Sequence, residues 1–168
     1  MRVAFGTDES NEVTAAVVAA LVEDGHEVVD PAEAPWPDVG HRVGHAVAGG
    51  AADLGVVCCW TGTGVSIAAN KVTGVRAALC TDAETARGAR RWNDANVLAI
   101  GLRLTSVPVA REIVAAFLAT GDVDPDERAN IDREMCIRDR PSMPPGPPPS
   151  RGATPCWPRC CRRGACSR

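Results

Sequence analysis

The chain has 168 residues, 45% of them hydrophobic and 23% charged, with a net charge of −3; that is enough length for one domain with a real core, in a composition normal for a globular protein. The balance conceals two unlike parts: residues 1–132 carry 10 basic against 19 acidic side chains, a net of −9, whereas residues 133–168 carry 8 against 2, a net of +6. An acidic body disfavours nucleic acid as the main partner, no stretch is long and apolar enough to span a membrane, and the opening residues run into a strand without a charged leader or cleavage pattern, so a cytoplasmic protein is expected.

Arg2 to Gly6 reads as a first strand and Asn11 to Glu23 as a helix with apolar residues at Val13, Val17, Ala20 and Leu21. Between them, Thr7-Asp8-Glu9-Ser10 puts carboxylates where they can cap that helix. Gly25 closes the helix, His26 to Asp30 forms a second strand, and Pro31 to Pro37, containing Trp36, reads as a loop. His41 and His45 lie four apart on the next helix, a chelating spacing, but no third ligand is suggested nearby. No metal and no cofactor are therefore expected.

Leu54 to Cys58 has the length and composition of a strand buried on both faces. Trp60, Thr61, Gly62, Thr63 and Gly64 then form a glycine-rich turn, and Val65 to Asn70, with Ser66, is suited to opening a helix. Glycines let backbone N–H groups point into such a turn, and a helix N-terminus adds partial positive charge, so the turn can hold an anion. It is not a P-loop, because Lys71 lies seven residues past Gly64 and two turns along the helix. It is not a dinucleotide fingerprint either, since no G-x-G-x-x-G is present. Cys58 and Cys59 face opposite sides of their strand, so only one can line the turn. A cysteine beside a helix N-terminus can become a base or nucleophile near neutral pH; the alternative is a small buried hydrophobe.

Further strands at Val75 to Cys80 and Val97 to Gly101, with helices at Asp82 to Trp92 and Val107 to Ala119, complete an alternating pattern. Five strands alternating with helices require parallel crossovers, hence an α/β fold: a Rossmann-like three-layer α/β/α sandwich with a five-stranded parallel sheet. The strand C-terminal ends then share one edge, which gathers Asp8, Cys59, Thr81 and the Gly101 turn. Cys58, Cys59 and Cys80, at or near strand ends, read as reduced thiols rather than a disulfide framework. From about Glu134 the character changes: Met135 to Arg168 contains eight prolines and five cysteines with almost no apolar periodicity. We divide the chain into a domain over 1–132 and a Pro/Arg/Cys-rich tail over 133–168, expected to be disordered or a non-native, frame-shifted end.

Four separated blocks carry a resemblance: Gly6-Thr-Asp8; Ala46-Val-Ala-Gly-Gly50; Cys59-Trp-Thr-Gly-Thr-Gly-Val-Ser-Ile-Ala-Ala-Asn-Lys71 with Val75-Arg-Ala-Ala-Leu-Cys80; and Asn93-Asp-Ala-Asn-Val-Leu-Ala-Ile-Gly-Leu-Arg103. In this order, over Met1 to Ile131, the chain resembles the type B ribose-5-phosphate isomerase and galactose-6-phosphate isomerase family. The resemblance implies a metal-independent aldose–ketose isomerase of carbohydrate metabolism, acting on a phosphorylated small sugar through an enediolate. It implies Cys59 as base, with the Thr61 hydroxyl and the backbone N–H groups from Trp60 to Ser66 holding the enediolate. Asp8, Trp36, Trp60, Gly62, Thr63, Gly64, Ser66, Trp92, Asn93 and Arg103 then form the substrate-binding set. Family sites are built between two protomers, so a homodimer or homotetramer is expected.

The chain departs from the family pattern at three places. Glu9 stands where a histidine is common, and Asp124 to Ile131 holds only Arg128 where the family places several arginines. Trp92-Asn93-Asp94 replaces His-Asn-Asp, whose histidine opens the sugar ring, and tryptophan cannot shuttle that proton. A four-carbon aldose 4-phosphate cannot close into a furanose and needs no such residue, so a tetrose 4-phosphate joins ribose 5-phosphate as a candidate substrate. The alternatives are a non-catalytic subunit of a hetero-oligomeric isomerase and a sugar-phosphate-binding protein.

Overall fold

The structure, a computed structural model, describes residues 1–138. Strands β1 (Arg2–Thr7), β2 (Glu27–Glu33), β3 (Leu54–Cys59), β4 (Ala77–Leu79) and β5 (Val97–Gly101) form one five-stranded parallel sheet in the order β2-β1-β3-β5-β4. Helices α1 (Glu12–Glu23), α2 (Trp36–Ala48), α3 (Thr63–Ala69) and α4 (Ala83–Asn93) make the four crossovers. After β5 come α5 (Val107–Ala119), a 3-10 turn (Pro125–Glu127) and α6 (Arg128–Arg138). This is the expected three-layer α/β/α sandwich.

Strand alternation splits the core in two. Val3, Phe5, Val56, Cys58, Leu98 and Ile100 pack with α1, α4 and α5 on one face, while Ala4, Val57, Cys59, Val97 and Ala99 pack with α2 and α3 on the other. Each fully buried Val, Leu, Ile or Phe in these layers contributes about 1.5–3 kcal/mol of apolar transfer. All six residues of β3 are buried, as the unbroken apolar run requires. The chain leaves β1 toward β2 on one side and returns to β3 on the other. The crevice between the C-terminal ends of β1 and β3 is therefore a topological switch point, where such sheets bind ligands.

Several boundaries differ from expectation for local reasons. β2 runs on to Glu33 because one extra residue is absorbed between the Ala4–Val29 and Gly6–Ala32 pairs, with Asp30 at φ 52°. A bulge on an edge strand is where a proline such as Pro31 is tolerated. The expected loop over Pro31–Pro37 shrinks accordingly, and Trp36-Pro37 opens α2, with proline in the first turn where its missing N–H costs nothing. β4 shortens from Val75–Cys80 to Ala77–Leu79. At its start, the Arg76 N–H is taken by the Asn96 side chain at 2.8 Å and the Ala77 N–H by the Asn70 side chain at 2.9 Å. The sequence reading assigned no element to α6, which runs across residue 132 to Arg138. Of the tail expected over 133–168, residues 133–138 are instead helical as part of α6, and residues 139–168 lie outside the described residues. Among the described residues no helix is long and apolar enough to cross a membrane.

Candidate active site

Cys59 ends β3 with 5% of its surface exposed, and its backbone carbonyl accepts from Gly62 at 3.2 Å and from Leu102 at 3.0 Å. Those two bonds fold the chain sharply after the thiol and stitch the turn to the end of β5. Gly62 takes φ 74°, and a Cβ there would lie 2.4 Å from Leu79 Cδ1 and 2.8 Å from the Gly101 nitrogen, so only glycine fits. Gly62 caps α3, leaving the N–H groups of Thr63, Gly64 and Val65 as the open donors of its first turn. The Thr61 and Thr63 hydroxyls are 2.7 Å apart over the same turn.

Ser66 does not join them. Its N–H donates to Gly62 O at 3.2 Å and its hydroxyl to Ala77 O at 3.4 Å, so both groups are engaged within the fold. The wider expectation of donors running from Trp60 to Ser66 is thus narrowed by the engaged N–H groups of Gly62 and Ser66, with Thr63, Gly64 and Val65 left open.

Asp8 follows β1 next to the end of β3, its N–H donating to Cys58 O at 3.3 Å. Its Oδ1 is buried and has no hydrogen-bond partner among the described residues. Desolvation pushes its carboxyl above the ordinary carboxylate range, with neighbouring Glu9 adding to the rise and its own backbone N–H opposing it. A buried acceptor without a partner costs free energy that a hydrogen-bond donor reaching it can recover. Trp36 lies over the turn: a Cβ on Gly64 would come within 3.0 Å of its indole ring, so the glycine is what lets the ring approach. Trp60 is half exposed, its ring facing the Arg103 guanidinium at 5.9 Å, and Trp60 O accepts from the Arg103 N–H at 2.8 Å.

The two cysteines separate as the alternation requires. Cys58 is fully buried against the α1/α5 face, where burial, aided by Cys59 and Asp8, pushes its thiol far up. Cys80 is also pushed up, to about 11, by burial. Cys59 faces the α2/α3 side and the turn.

Trp92 and Asn93 are not brought to this edge. α4 starts after β4 at the C-terminal edge and runs back, so its last residues sit at the N-terminal edge, where β5 begins. Cys59 pairs with Gly101 and Gly55 with Val97, so about 13 Å of strand separates the two ends. Trp92, 48% exposed, and Asn93 line a cavity of about 470 Å³ with Asn70, Arg76, Glu127 and Asn130. Arg128 approaches Asp94 there at 3.9 Å. Arg90 is a structural residue: its guanidinium donates to Ala95 O at 2.6 Å and Thr120 O at 3.0 Å and lies 5.4 Å over the Phe117 ring. His41 and His45 meet at 3.0 Å between Nε2 atoms on the exposed face of α2, and no group of three metal-ligating side chains occurs among the described residues. Arg76 is the residue that sequence reasoning missed, although it stands inside the Val75–Cys80 block.

The chain is similar to known proteins over most of its described length. The profile of the ribose/galactose isomerase family matches residues 3–133. The chain is 42% identical over 123 residues to ribose-5-phosphate isomerase B of Escherichia coli, covering 70% of this chain and 83% of that protein. It is 35% identical over 125 residues to D-erythrulose-4-phosphate isomerase of Pectobacterium atrosepticum, covering 70% and 82%. Among solved structures, ribose-5-phosphate isomerase B of Clostridium thermocellum superposes with a TM-score of 0.76 at 35% identity, covering 82% of this chain and 97% of that one. The chain belongs to the ribose/galactose isomerase family.

Proposed function

We propose that this member of the family interconverts an aldose and a ketose phosphate through an enediolate, with Cys59 as the base that carries the proton. In the aldose-to-ketose direction the Cys59 thiolate takes the proton from C2. The C–H electrons form the C1=C2 bond, and the carbonyl π electrons move to O1. The N–H groups of Thr63, Gly64 and Val65 and the Thr61 hydroxyl stabilise that oxyanion. Cys59 then returns the proton to C1 as the O2 hydroxyl proton passes to O1, leaving the carbonyl at C2. Asp8 orients a substrate hydroxyl, Trp36 forms a wall, and Trp60 with Arg103 forms the rim. The observation that carries this reading is the buried, unpartnered Asp8 Oδ1 just past the end of β1, at the switch point where the adjacent β3 ends in Cys59 and its turn with open donors begins.

Trp92 and Asn93 complete the site from a second copy of the chain, since one copy holds them at the opposite edge of the sheet. This accords with the homodimer that the family resemblance implies. Tryptophan at position 92 favours a substrate with no ring to open. The tetrose phosphate isomerase among the relatives makes that class concrete. A silent subunit or binding protein is the second reading, favoured by the same Trp92 and by the acidic residues around Arg128.

The test is turnover of erythrose 4-phosphate, ribose 5-phosphate and a hexose 6-phosphate by the full chain and by Cys59→Ala. Erythrose 4-phosphate should be fastest, with turnover lost in the variant. Faster turnover of ribose 5-phosphate would withdraw the tetrose assignment, and no turnover of any of the three would leave the binding reading.

A further inference from the structure

The turn between α4 and β5 is gripped by a side chain from the start of β4. Arg76 Nε donates to Asn93 O at 3.1 Å and to Asp94 O at 2.8 Å, and Nη2 donates to Asp94 Oδ2 at 2.8 Å. Its remaining nitrogen, Nη1, meets the Met135 sulfur at 2.9 Å. The pair is well shielded, with 17% of the Arg76 and 29% of the Asp94 side chain exposed. Asp94 adopts φ 49° as the C-cap of α4, an unfavourable conformation for a residue with a Cβ. A cation at a helix C-terminus that binds the last carbonyls compensates that strain and satisfies acceptors the helix leaves open.

Arg76 is itself fixed from both sides. Its N–H donates to Asn96 Oδ1 at 2.8 Å, and Asn96 Nδ2 donates to Gly74 O at 2.8 Å. The next residue, Ala77, exchanges two bonds with the Asn70 side chain at the end of α3, at 2.9 and 2.8 Å. Such a fork of donors on a braced strand start fixes backbone direction in a way a lone ammonium cannot.

We infer that Arg76 is a positioning residue: its guanidinium clamps the Asn93–Asp94 backbone so that the Asn93 side chain is held ready for the substrate of a second copy. This rests on the proposed function, in which Asn93 orients a sugar hydroxyl. A clamp of this kind acts through Asn93 and touches no substrate itself. A misplacement on the order of 1 Å in a substrate-orienting group can cost about a hundredfold in rate.

The test combines kinetics with hydrogen exchange on the full chain. Arg76→Gln should lower kcat/KM by about ten- to a hundredfold, with Arg76→Lys intermediate, because it keeps the charge and loses the fork. In an Asn93→Ala background the same Arg76→Gln change should produce no further loss, since the group being positioned is gone. Losses that multiply in the double variant, or unchanged kinetics in Arg76→Gln, would overturn the inference. The Asp94 and Ala95 amides, bonded to Arg90 O at 3.1 Å and Ala89 O at 2.9 Å, should exchange faster in Arg76→Gln. Unchanged exchange overturns the clamp whatever the activity. Absence of turnover in the unaltered chain would instead count against the isomerase reading, with the exchange measurement still deciding the clamp.

Discussion

Replacing Gly62 by alanine is the most informative single change to the turn. Gly62 sits at φ 74°, and an added Cβ would meet Leu79 Cδ1 at 2.4 Å, the Gly101 nitrogen at 2.8 Å and the Ile100 carbonyl carbon at 3.0 Å. The left-handed conformation costs alanine about 1–2 kcal/mol, and forcing a methyl group into a packed site adds about 1–3 kcal/mol. Leu79 can swing away, but the end of β5 cannot, because Ile100 and Gly101 are paired with Cys58 and Cys59 of the buried strand β3. The turn must therefore move, carrying the Thr63, Gly64 and Val65 donors away from the Cys59 thiol. Gly62→Ala should lose about 2–5 kcal/mol in urea unfolding and at least about tenfold in kcat. Gly64→Ala is the control: its Cβ meets only the half-exposed Trp36 ring at 3.0 Å, so a small stability loss with a raised KM is expected. A Gly62→Ala protein as stable and as active as the unaltered chain would refute the claim that this backbone geometry builds the oxyanion site.

Other consequences are open to direct measurement. Because the folded-state pKa of Asp8 is raised, the folded chain holds that proton longer than the unfolded one; stability falls as pH rises above the ordinary carboxylate range, and the cost is fully present at neutral pH. Asp8→Asn should accordingly match or exceed the unaltered chain in thermal midpoint at pH 7, lose that advantage at acid pH, and lower activity, as paired melting curves and rates would establish. Cys58→Ala should cost about 1–2 kcal/mol by leaving a small void in the core while leaving the chemistry intact, and peptide-resolved alkylation of the native protein should spare Cys58. Trp92→His should raise ribose 5-phosphate turnover relative to erythrose 4-phosphate, since it restores a group able to move a proton to the ring oxygen; an unchanged ratio would remove the specificity role given to Trp92.

How far the sequence discloses the molecule depends on whether the determining contacts are local. β5 and α5 match expectation to the residue, because an apolar run and a proline-opened amphipathic helix are local signals. The β2 bulge escaped notice, since Asp30 and Pro31 resemble a strand stop and only pairing with β1 reveals their place. α6 lacks an apolar stripe that would announce it. The site divides in the same way. Cys59, Gly62 and Gly64 lie in one short stretch and were legible together, whereas Val65 and Ser66 are distinguished only by which N–H groups the first helical turn consumes. The separation of Asn93 from Cys59 follows from a parallel crossover, which obliges α4 to end at the opposite sheet edge. Arg76 was silent in the sequence because its partners lie 17 or more residues away in the chain and two of them are backbone carbonyls, which carry no residue signature.

The most direct test of the account is to run the isomerisation in D2O with the unaltered chain and with Cys59→Ala, following the label in the recovered sugar phosphate. Proton transfer through Cys59 predicts deuterium at the receiving carbon only in those turnovers in which the thiol exchanges with solvent before returning its proton, and loss of both turnover and label in the variant. Turnover and label that survive in Cys59→Ala would contradict it.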